Sequence, residues 1–289
     1  MTPQRIDAAW CAAHPLPDLG AGMDKDARGQ ALVVGGSAFV PGAVLLTGEA
    51  VLRTGAGKIT LATIDRAAVG AAFPEAAVIA LPADDEGEID AGALAPLGRY
   101  LDRCDALVLG PGMMQRPQTA GLVEALLNQD ACAAPVLLDA GALTAMRAGA
   151  AVLRRRSQAV VMTPHHGELA ALTGNDKDAV ARDPVKAAYE AAAAFGAIVA
   201  LKSEETLIAD REGRMLRYVS EAPGLGTAGS GDVLAGIIGG LLARGVDPLV
   251  ATAWGVWLHG EAGKAASAAI GRIGFLARDL LPQIPRLLP

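Results

Sequence analysis

Aromatic residues and cysteines are scarce in this chain of 289 residues. Aromatic side chains make up 3% of the sequence while 52% of the residues are hydrophobic, so the core must consist mainly of alanine, valine, leucine and isoleucine. With 35 glycines, such side chains suit helices packed closely on a buried parallel sheet. The cysteines, Cys11, Cys104 and Cys132, are odd in number and far apart. They predict neither a disulfide framework nor a zinc site, and they fit a reducing cytoplasm.

An excess of basic residues is also missing. The formal net charge of −6 argues against nucleic acid as a partner, because nucleic acid requires a basic face. An anionic substrate must therefore be bound by local donors. The chain does not open with a basic segment followed by a long apolar core, and no apolar run reaches membrane-spanning length. We therefore expect a soluble cytoplasmic protein with no signal peptide and no membrane partner.

Short apolar runs alternate with longer helical patterns, which predicts a βαβ sheet within a single domain. Strands are expected at 31–34, 58–63, 77–81, 106–109, 136–138, 159–162 and 198–201. The runs 206–209 and 215–219 flank a turn, so they predict a hairpin and an antiparallel edge. Helices are expected at 43–54, 167–173, 184–196, 230–244, 248–268 and 277–287. We expect the Arg154-Arg155-Arg156 run to be a solvated helix end.

The most informative segment is the glycine-rich turn at 224–236, GLGTAGSGDVLAG, which runs into an apolar helical pattern. Its glycines allow the backbone to approach a ligand, and the start of the following helix offers unpaired N–H groups to an anion. A carboxylate such as Asp232 would repel a phosphate there. Its position makes chemical sense if it takes a proton from a hydroxyl that is about to be phosphorylated. The alternative is a tight loop in which Asp232 is an ordinary residue of the first helical turn.

Six predicted strand ends carry glycine-rich or polar loops. Ligands bind beyond the carboxyl ends of the strands in an open parallel sheet, so these loops should meet along one edge. The coincidence predicts a composite active site there, without naming a substrate. The loops are 35–43, 110–112, 139–143, 163–168, 202–206 and 224–232.

Several side chains in these loops have both a functional and a structural interpretation. We expect His165 to face the ligand, although a histidine here could instead cap the next helix, with Glu168 completing a capping box. Lys202 could bind a phosphate or merely end a strand in water. Asp139 could steady a loop or hold a magnesium-bound water. His259 lies in an apolar helix, so we expect a hydrogen-bonded core histidine and not a ligand.

In this order, the motifs resemble those of the NAD(P)H-hydrate dehydratases, a branch of the ribokinase-like superfamily. The resemblance runs from about residue 28 to about residue 287 and implies a three-layer α/β/α sandwich with a mostly parallel central sheet and an antiparallel edge. It further implies one domain over 1–289, with 1–27 as an N-terminal extension. The segments that carry it are VVGGS at 33–37, PGA at 41–43, RTGAGK at 53–58, LGPG at 109–112, LD at 138–139, TPH at 163–165 with GE at 167–168, 223–238, and LHGEAG at 258–263.

The resemblance implies a metabolite-repair enzyme. Its substrate would be the S-epimer of hydrated NADH or NADPH, and its co-substrate would be ADP or ATP, with Mg²⁺ as cofactor. The C6 hydroxyl would be phosphorylated and then eliminated as phosphate, so that ADP gives AMP and phosphate. Such relatives often assemble as tetramers, and some carry an epimerase in the same chain. We therefore expect a homotetramer that works with a separate NAD(P)H-hydrate epimerase.

The family pattern also assigns roles to residues. Asp232 would be the catalytic base, and no protein ligand for a metal is assigned. The hydrated cofactor would contact Ala43, Gly112, His165 and Asp232. The adenine nucleotide would bind Lys202, Ser203, Glu204, Glu205, Thr206 and Gly231. The anion hole would be formed by Ala228, Gly229, Ser230 and Gly231.

Three positions depart from that pattern. His166 stands where the family commonly has proline, and Gly141 stands where it commonly has a second acidic residue. Ser203 replaces a glycine and adds a Cβ where the backbone should pass close to the nucleotide. These departures leave the chemistry of Asp232 intact but change the residues that shape the loops and the backbone of 202–206.

Two other functions stay open at this point. A kinase acting on a vitamin-precursor alcohol, of the hydroxymethylpyrimidine or hydroxyethylthiazole type, would need the same glycine loop and the same base. The segments at 41–43 and 163–165 favour the dehydratase over that kinase. A non-catalytic nucleotide sensor is the other alternative, and the intact Asp232 argues against it.

Overall fold

A computed structural model of the chain describes residues 2–20, 22–128 and 132–289. Its strands are β1 (Gln4–Arg5), β2 (Gln30–Val34), β3 (Lys58–Thr63), β4 (Ala77–Ala80), β5 (Ala106–Leu109), β6 (Val136–Leu138), β7 (Val160–Met162), β8 (Ile198–Leu201), β9 (Glu205–Ala209) and β10 (Met215–Val219). Its helices are α1 (Ala8–Ala13), α2 (Ala43–Arg53), α3 (Arg66–Ala72), α4 (Leu94–Leu101), α5 (Pro117–Leu127), α6 (Ala140–Ala145), α7 (Ala150–Arg155), α8 (His166–Thr173), α9 (Lys177–Arg182), α10 (Pro184–Phe195), α11 (Ser230–Ala243), α12 (Pro248–Ala269) and α13 (Ile284–Leu287).

The strands form one sheet in the order β1-β10-β9-β8-β7-β6-β5-β2-β3-β4. Neighbouring strands are parallel along the part of the sheet that runs from β8 through β7, β6, β5, β2 and β3 to β4. In contrast, β9 runs antiparallel to both β8 and β10. The predicted hairpin and antiparallel edge are therefore confirmed. Because β5 to β8 are parallel, their carboxyl ends lie along one edge, where the polar loops follow.

Both faces of the sheet are covered by helices. In β2, Ala31 and Val33 point into one core while Leu32 and Val34 point into the other, and all four are buried. One core is completed by residues of α2, α3, α11 and α12, and the other by residues of α4 to α10. This arrangement is the predicted three-layer sandwich, and it explains why the strands read as unbroken apolar runs.

Glycines let α11 lie very close to α2 and to the sheet. A Cβ on Gly236 would stand 2.6 Å from the Cβ of Ala50, and one on Gly239 would collide with Val108. Larger residues at these positions would push the helix away from its neighbours. The close approach fixes the position of the first turn of α11, which carries Asp232.

The C-terminal end of the chain differs most from the sequence-based expectations. The helix predicted at 277–287 is wrong: 3₁₀ turns at Ala277–Asp279 and Leu281–Gln283 precede the short α13, because Pro282 and Pro285 interrupt helical hydrogen bonding. Within the segment 1–27, β1 pairs with β10, and Ile6 and Trp10 are buried in the common core.

Arg156 is not the solvated helix end that we expected. Its guanidinium donates to the carbonyl oxygens of Leu127, Cys132 and Ala134 at 2.9 to 3.0 Å, so it is bound to the backbone at the end of α5 and before β6. In the described residues, no helix is both long and apolar enough to span a membrane.

Candidate active site

Two groups of loops meet at the carboxyl edge of the sheet. In the first, Gly36 N–H donates to Pro111 O at 2.7 Å, and a Cβ on Gly112 would lie 2.8 Å from that of Ala43. In the second, Lys202 N–H donates to Pro164 O at 2.7 Å, directly beside His165. The predicted substrate residues Ala43 and Gly112 are thus brought together in one group, and His165 and Lys202 in the other.

The glycine turn ends at Gly229, which adopts a left-handed conformation with φ +84° just before α11 begins. A Cβ there would be strained and would meet Leu46 at 2.6 Å, so this position requires glycine. Within the described chain, no side chain of the turn caps the start of α11. The N–H of Ser230 donates to Thr227 O at 3.3 Å, whereas no side chain among the described residues occupies the amides of Ala228, Gly229 and Gly231, so these can bind an anion.

Asp232 lies in the first turn of α11 and is half-buried. Its Oδ2 is 3.9 Å from the place where a Cβ of Gly229 would stand, so the carboxyl group is next to the glycine turn. Burial and the negative charge of Asp139 raise the pKa of Asp232 to about 7, against the opposing effect of Lys202. A carboxyl with this pKa can exchange a proton near neutral pH.

A buried charge cluster faces the same helix start. Lys202 Nζ donates to Asp139 Oδ1 at 2.9 Å and lies 3.7 Å from Glu168 Oε2, while Thr163 Oγ1 donates to Asp139 Oδ1 at 2.7 Å. Burial alone would lower the pKa of Lys202, but the charges of Asp139 and Glu168 outweigh it and raise the pKa. A Cβ on Gly231 would stand 3.5 Å from Lys202 Nζ. The ammonium group is thus charged and close to the proposed anion hole.

His165 is the N-cap of α8. Its Nδ1 accepts from the N–H groups of Gly167 and Glu168 at 3.0 and 3.1 Å, and Glu168 Oε2 accepts from His165 N–H at 2.7 Å. The capping alternative is therefore realised, with Glu168 as its partner. Because Nδ1 accepts, the neutral ring carries its proton on Nε2. The His165 side chain is 60% exposed, and its contact with a ligand stays a prediction.

The segment 202–206 does not point its side chains at one place. Only Lys202 reaches toward α11, whereas Ser203 Oγ donates to Glu205 O at 2.6 Å within its own turn. Glu205 forms an ion pair with Arg217 on β10 at 3.0 Å, and Thr206 Oγ1 donates to Ser203 O at 3.3 Å. Glu204 is exposed at the same turn. Nucleotide contacts from this segment beyond Lys202 would therefore come mainly from the backbone.

Sequence reasoning did not place three further residues at the site. Thr47 Oγ1 lies 3.0 Å from Ala43 O and 3.1 Å from Asp232 O, and thereby joins α2 to α11. Glu88, 1% exposed, accepts from the N–H groups of Ile89 and Met114 and so holds the loop after Gly112. His259 Nε2 lies 2.9 Å from Ser230 Oγ. As expected, His259 is hydrogen-bonded. Its partner, however, is a residue of the proposed anion hole.

The residues described here include no group of three or more histidine, cysteine, aspartate or glutamate side chains that could hold a metal. Two carboxylates, Asp139 and Asp232, nevertheless face the start of α11. Mg²⁺ in nucleotide sites usually keeps several waters and is held by one or two carboxylates together with substrate phosphates. These two carboxylates fit a magnesium ion that is held mainly by nucleotide phosphates and water. They do not fit an ion that is bound by protein ligands alone.

The strand order, the antiparallel edge and the helix start with its carboxylate define a ribokinase-like α/β protein. The family model of the NAD(P)H-hydrate dehydratases matches residues 31–286. An ADP-dependent (S)-NAD(P)H-hydrate dehydratase of Xanthomonas campestris is 46% identical over 286 residues, which cover 98% of this chain and 95% of that protein. The chain belongs to the NAD(P)H-hydrate dehydratase family, as the motifs predicted.

Two further comparisons agree with this assignment. The bifunctional NAD(P)H-hydrate repair enzyme Nnr of Moorella thermoacetica is 37% identical over 98% of this chain, which spans about half (53%) of that protein's length. The crystal structure of the ADP/ATP-dependent NAD(P)H-hydrate dehydratase of Bacillus subtilis, co-crystallised with ATP and Mg²⁺, superposes with a TM-score of 0.82 at 28% identity. That match covers 99% of this chain and 98% of the other, and it confirms the predicted fold.

Proposed function

We propose that this chain dehydrates the S-epimer of hydrated NADH or NADPH to the reduced cofactor, using ADP or ATP. The relatives named above support this reaction. The Xanthomonas and Bacillus proteins are named as NAD(P)H-hydrate dehydratases, and this chain matches each of them over nearly its whole length. The observation that carries the proposal is the carboxyl group of Asp232 beside the glycine turn, with Lys202 close to the same helix start.

Asp232 is the base of the first step. It takes the proton of the C6 hydroxyl while that oxygen attacks the terminal phosphorus of the nucleotide, and the bond from phosphorus to the bridging oxygen breaks. ADP thereby becomes AMP. The ring nitrogen lone pair then expels phosphate from C6, and loss of a proton from C5 restores the ring double bond. Phosphate leaves more readily than hydroxide, which is why the nucleotide is consumed.

Backbone donors and one ammonium group stabilise the charge that develops. The amides of Ala228, Gly229 and Gly231 form the anion hole at the start of α11, where the helix dipole favours negative charge, and the Ser230 N–H would join them on leaving Thr227 O. Lys202 pairs with the phosphates as a point charge. Held near Asp139, its ammonium is already in place before the nucleotide arrives.

The hydrated ring would lie between the two loop groups. Gly112 adopts φ +72°, and a side chain there would collide with Val40 O and Ala43, so the small residues keep this surface open to a flat ligand. His165 carries its proton on Nε2 and offers it as a donor, because its Nδ1 is occupied by the cap of α8.

Magnesium, when bound, neutralises charge on the nucleotide phosphates. The phosphates would hold the ion, and Asp139 Oδ2 would face one of its waters, since Asp139 Oδ1 is occupied by Lys202 and Thr163. The cytoplasmic location, the homotetramer and the separate epimerase stay predictions.

A kinase of a small vitamin-precursor alcohol would use the same base and anion hole, and it receives less support because the relatives are named dehydratases. The deciding experiment incubates the protein with hydrated NADH, Mg²⁺ and either ADP or ATP. We expect the dihydronicotinamide absorbance to return and phosphate to be released with one of the nucleotides. A stable phosphorylated alcohol with no phosphate release would indicate a kinase.

The matched variant is Asp232→Asn, which keeps the shape of the side chain and removes the base. Turnover should fall by a factor on the order of 100 to 10,000, while the Kd for ADP changes little. Turnover equal to that of the wild type would show that Asp232 is not the base.

A further inference from the structure

His259 on α12 contacts the first residue of α11 through one nitrogen. Its Nε2 lies 2.9 Å from Ser230 Oγ and 3.1 Å from the carbonyl oxygen of Ser230. The residue is half-buried, and the nearby charged group that acts on its ring is Lys202. The proposed reaction gives His259 no proton to move, so these two contacts call for another explanation.

The two contacts fix the tautomer of the ring. A carbonyl oxygen can only accept a hydrogen bond, so the 3.1 Å contact places a proton on Nε2. The same N–H then serves both oxygens of Ser230, and the Ser230 hydroxyl keeps its own proton for another acceptor. Burial lowers the pKa of His259 to about 4, so the ring is neutral at physiological pH.

The contact with Ser230 adds to the helix itself in holding the direction of a backbone donor. The carbonyl of Ser230 and the N–H of Gly231 belong to one peptide plane and point in opposite directions, because the bond is trans. When His259 holds the carbonyl, the Gly231 N–H is aimed away from it. In the described residues the turn supplies no side-chain cap of its own, so α12 provides the polar side chain that holds this helix start.

We infer that His259 is a positioning residue for nucleotide binding, holding Ser230 so that the Gly231 amide and the Ser230 hydroxyl meet the terminal phosphate. The inference rests on the proposed function, since it takes the start of α11 as the phosphate site. It also explains why a polar side chain stands on an otherwise apolar stretch of α12, where Trp254, Val256 and Leu258 are buried.

Two variants separate this role from simple packing. His259→Gln places an amide N–H near the former Nε2, whereas His259→Asn places one near the former Nδ1, which does not reach Ser230. Binding of ADP is measured by calorimetry without hydrated NADH, and KM for nucleotide and for hydrated NADH is measured separately. We expect the Asn variant to raise the Kd and KM for ADP about 10-fold, the loss of roughly one hydrogen bond. The Gln variant should stay within about 3-fold of wild type, and KM for hydrated NADH should not change in either.

An Asn variant that binds ADP as tightly as the wild type, or a Gln variant as weak as the Asn variant, overturns the inference. Should the Asn variant fail to fold, ¹⁵N-histidine NMR of the wild type decides, since a proton on Nδ1 of His259 would contradict the assignment and a proton on Nε2 would support it. Failure of the proposed function looks different, because the wild type would then show no dehydration of hydrated NADH. A wild type that binds neither ADP nor ATP would overturn both.

Discussion

The hydroxyl oxygen of Thr47 lies 3.1 Å from the carbonyl oxygen of Asp232, although the two residues are 185 positions apart in the chain. The same hydroxyl lies 3.0 Å from Ala43 O, so its single proton is shared by two carbonyls. Thr47 is completely buried. It therefore ties α2, which begins with the proposed substrate contact Ala43, to the turn of α11 that carries the proposed base.

Replacing Thr47 with Val keeps the shape of the side chain and removes the hydroxyl. We expect the free energy of unfolding to fall by about 1–2 kcal/mol and kcat to fall several-fold, because the base loses its link to α2. Urea unfolding and steady-state kinetics measure the two effects. Thr47→Ser is the matched control, since it keeps the hydroxyl and should keep most of kcat. Equal kcat for the Val variant and the wild type would show that this link does not position the base.

The rate should depend on pH through Asp232. Its pKa is raised to about 7, and a base must be ionised to accept a proton, so kcat/KM should rise with pH and level off above about 7. Asp139→Asn removes a negative charge that raises this pKa, so the acid limb should move to lower pH. Asp102→Asn, at an exposed position, should leave the profile unchanged. A shift of the acid limb to higher pH in the Asp139 variant would contradict the electrostatic account.

The same carboxyl group should make the protein less stable at alkaline pH. The pKa of Asp232 is raised from its ordinary 3.8, so the folded state binds more protons than the unfolded state between about 4 and 7. Its contribution to stability is therefore lost as pH rises through that window. Asp232→Asn should raise the free energy of unfolding at pH 8 by about 1–3 kcal/mol, and the gain should shrink toward pH 4. Thermal melts at the two pH values test this, and a variant equally destabilised at both would refute it.

An alanine at Gly231 should weaken nucleotide binding without unfolding the protein. Gly231 lies outside the left-handed region, and its new Cβ would stand 3.5 Å from Lys202 Nζ, an ordinary contact that still occupies space needed by a phosphate. We expect the Kd for ADP to rise about 10-fold with little change in Tm.

Gly121→Ala provides the comparison, since a Cβ there meets no atom within 4 Å among the residues described, on an exposed turn of α5. It should stabilise the protein by about 0.5–1 kcal/mol and leave ADP binding unchanged. If both alanines lower ADP affinity equally, the effect at Gly231 is not local.

The central strands β2 and β5 to β8 were predictable because they are buried on both faces. The run predicted at 31–34 is found as Gln30–Val34, and the run predicted at 198–201 is found unchanged. Continuous apolar runs leave little freedom in where such a strand begins or ends. At 277–287 the apolar spacing resembled a helix, but two prolines stand inside it and outweigh the spacing.

The side-chain contacts of the site were not predictable in the same way. The pairing of Lys202 with Asp139, and of His259 with Ser230, depends on which strands and helices become neighbours. Periodicity describes one element at a time and carries no information about contacts between elements. Lys202 and Asp139 could be selected as candidates because they end strands, whereas Thr47, Glu88 and His259 lie elsewhere and could not.

The glycines of α11 limit which substitutions this protein can accept. With Gly236 and Gly239 pressed against α2 and β5, the frame that carries the base admits no larger residue, while the loops at 35–43 and 163–168 lie outside that packing. Redesign for a different hydrated ring should therefore leave the helices alone and draw its diversity from those two loops. A library built that way keeps the phosphate chemistry constant and varies only the loop residues that contact the ring.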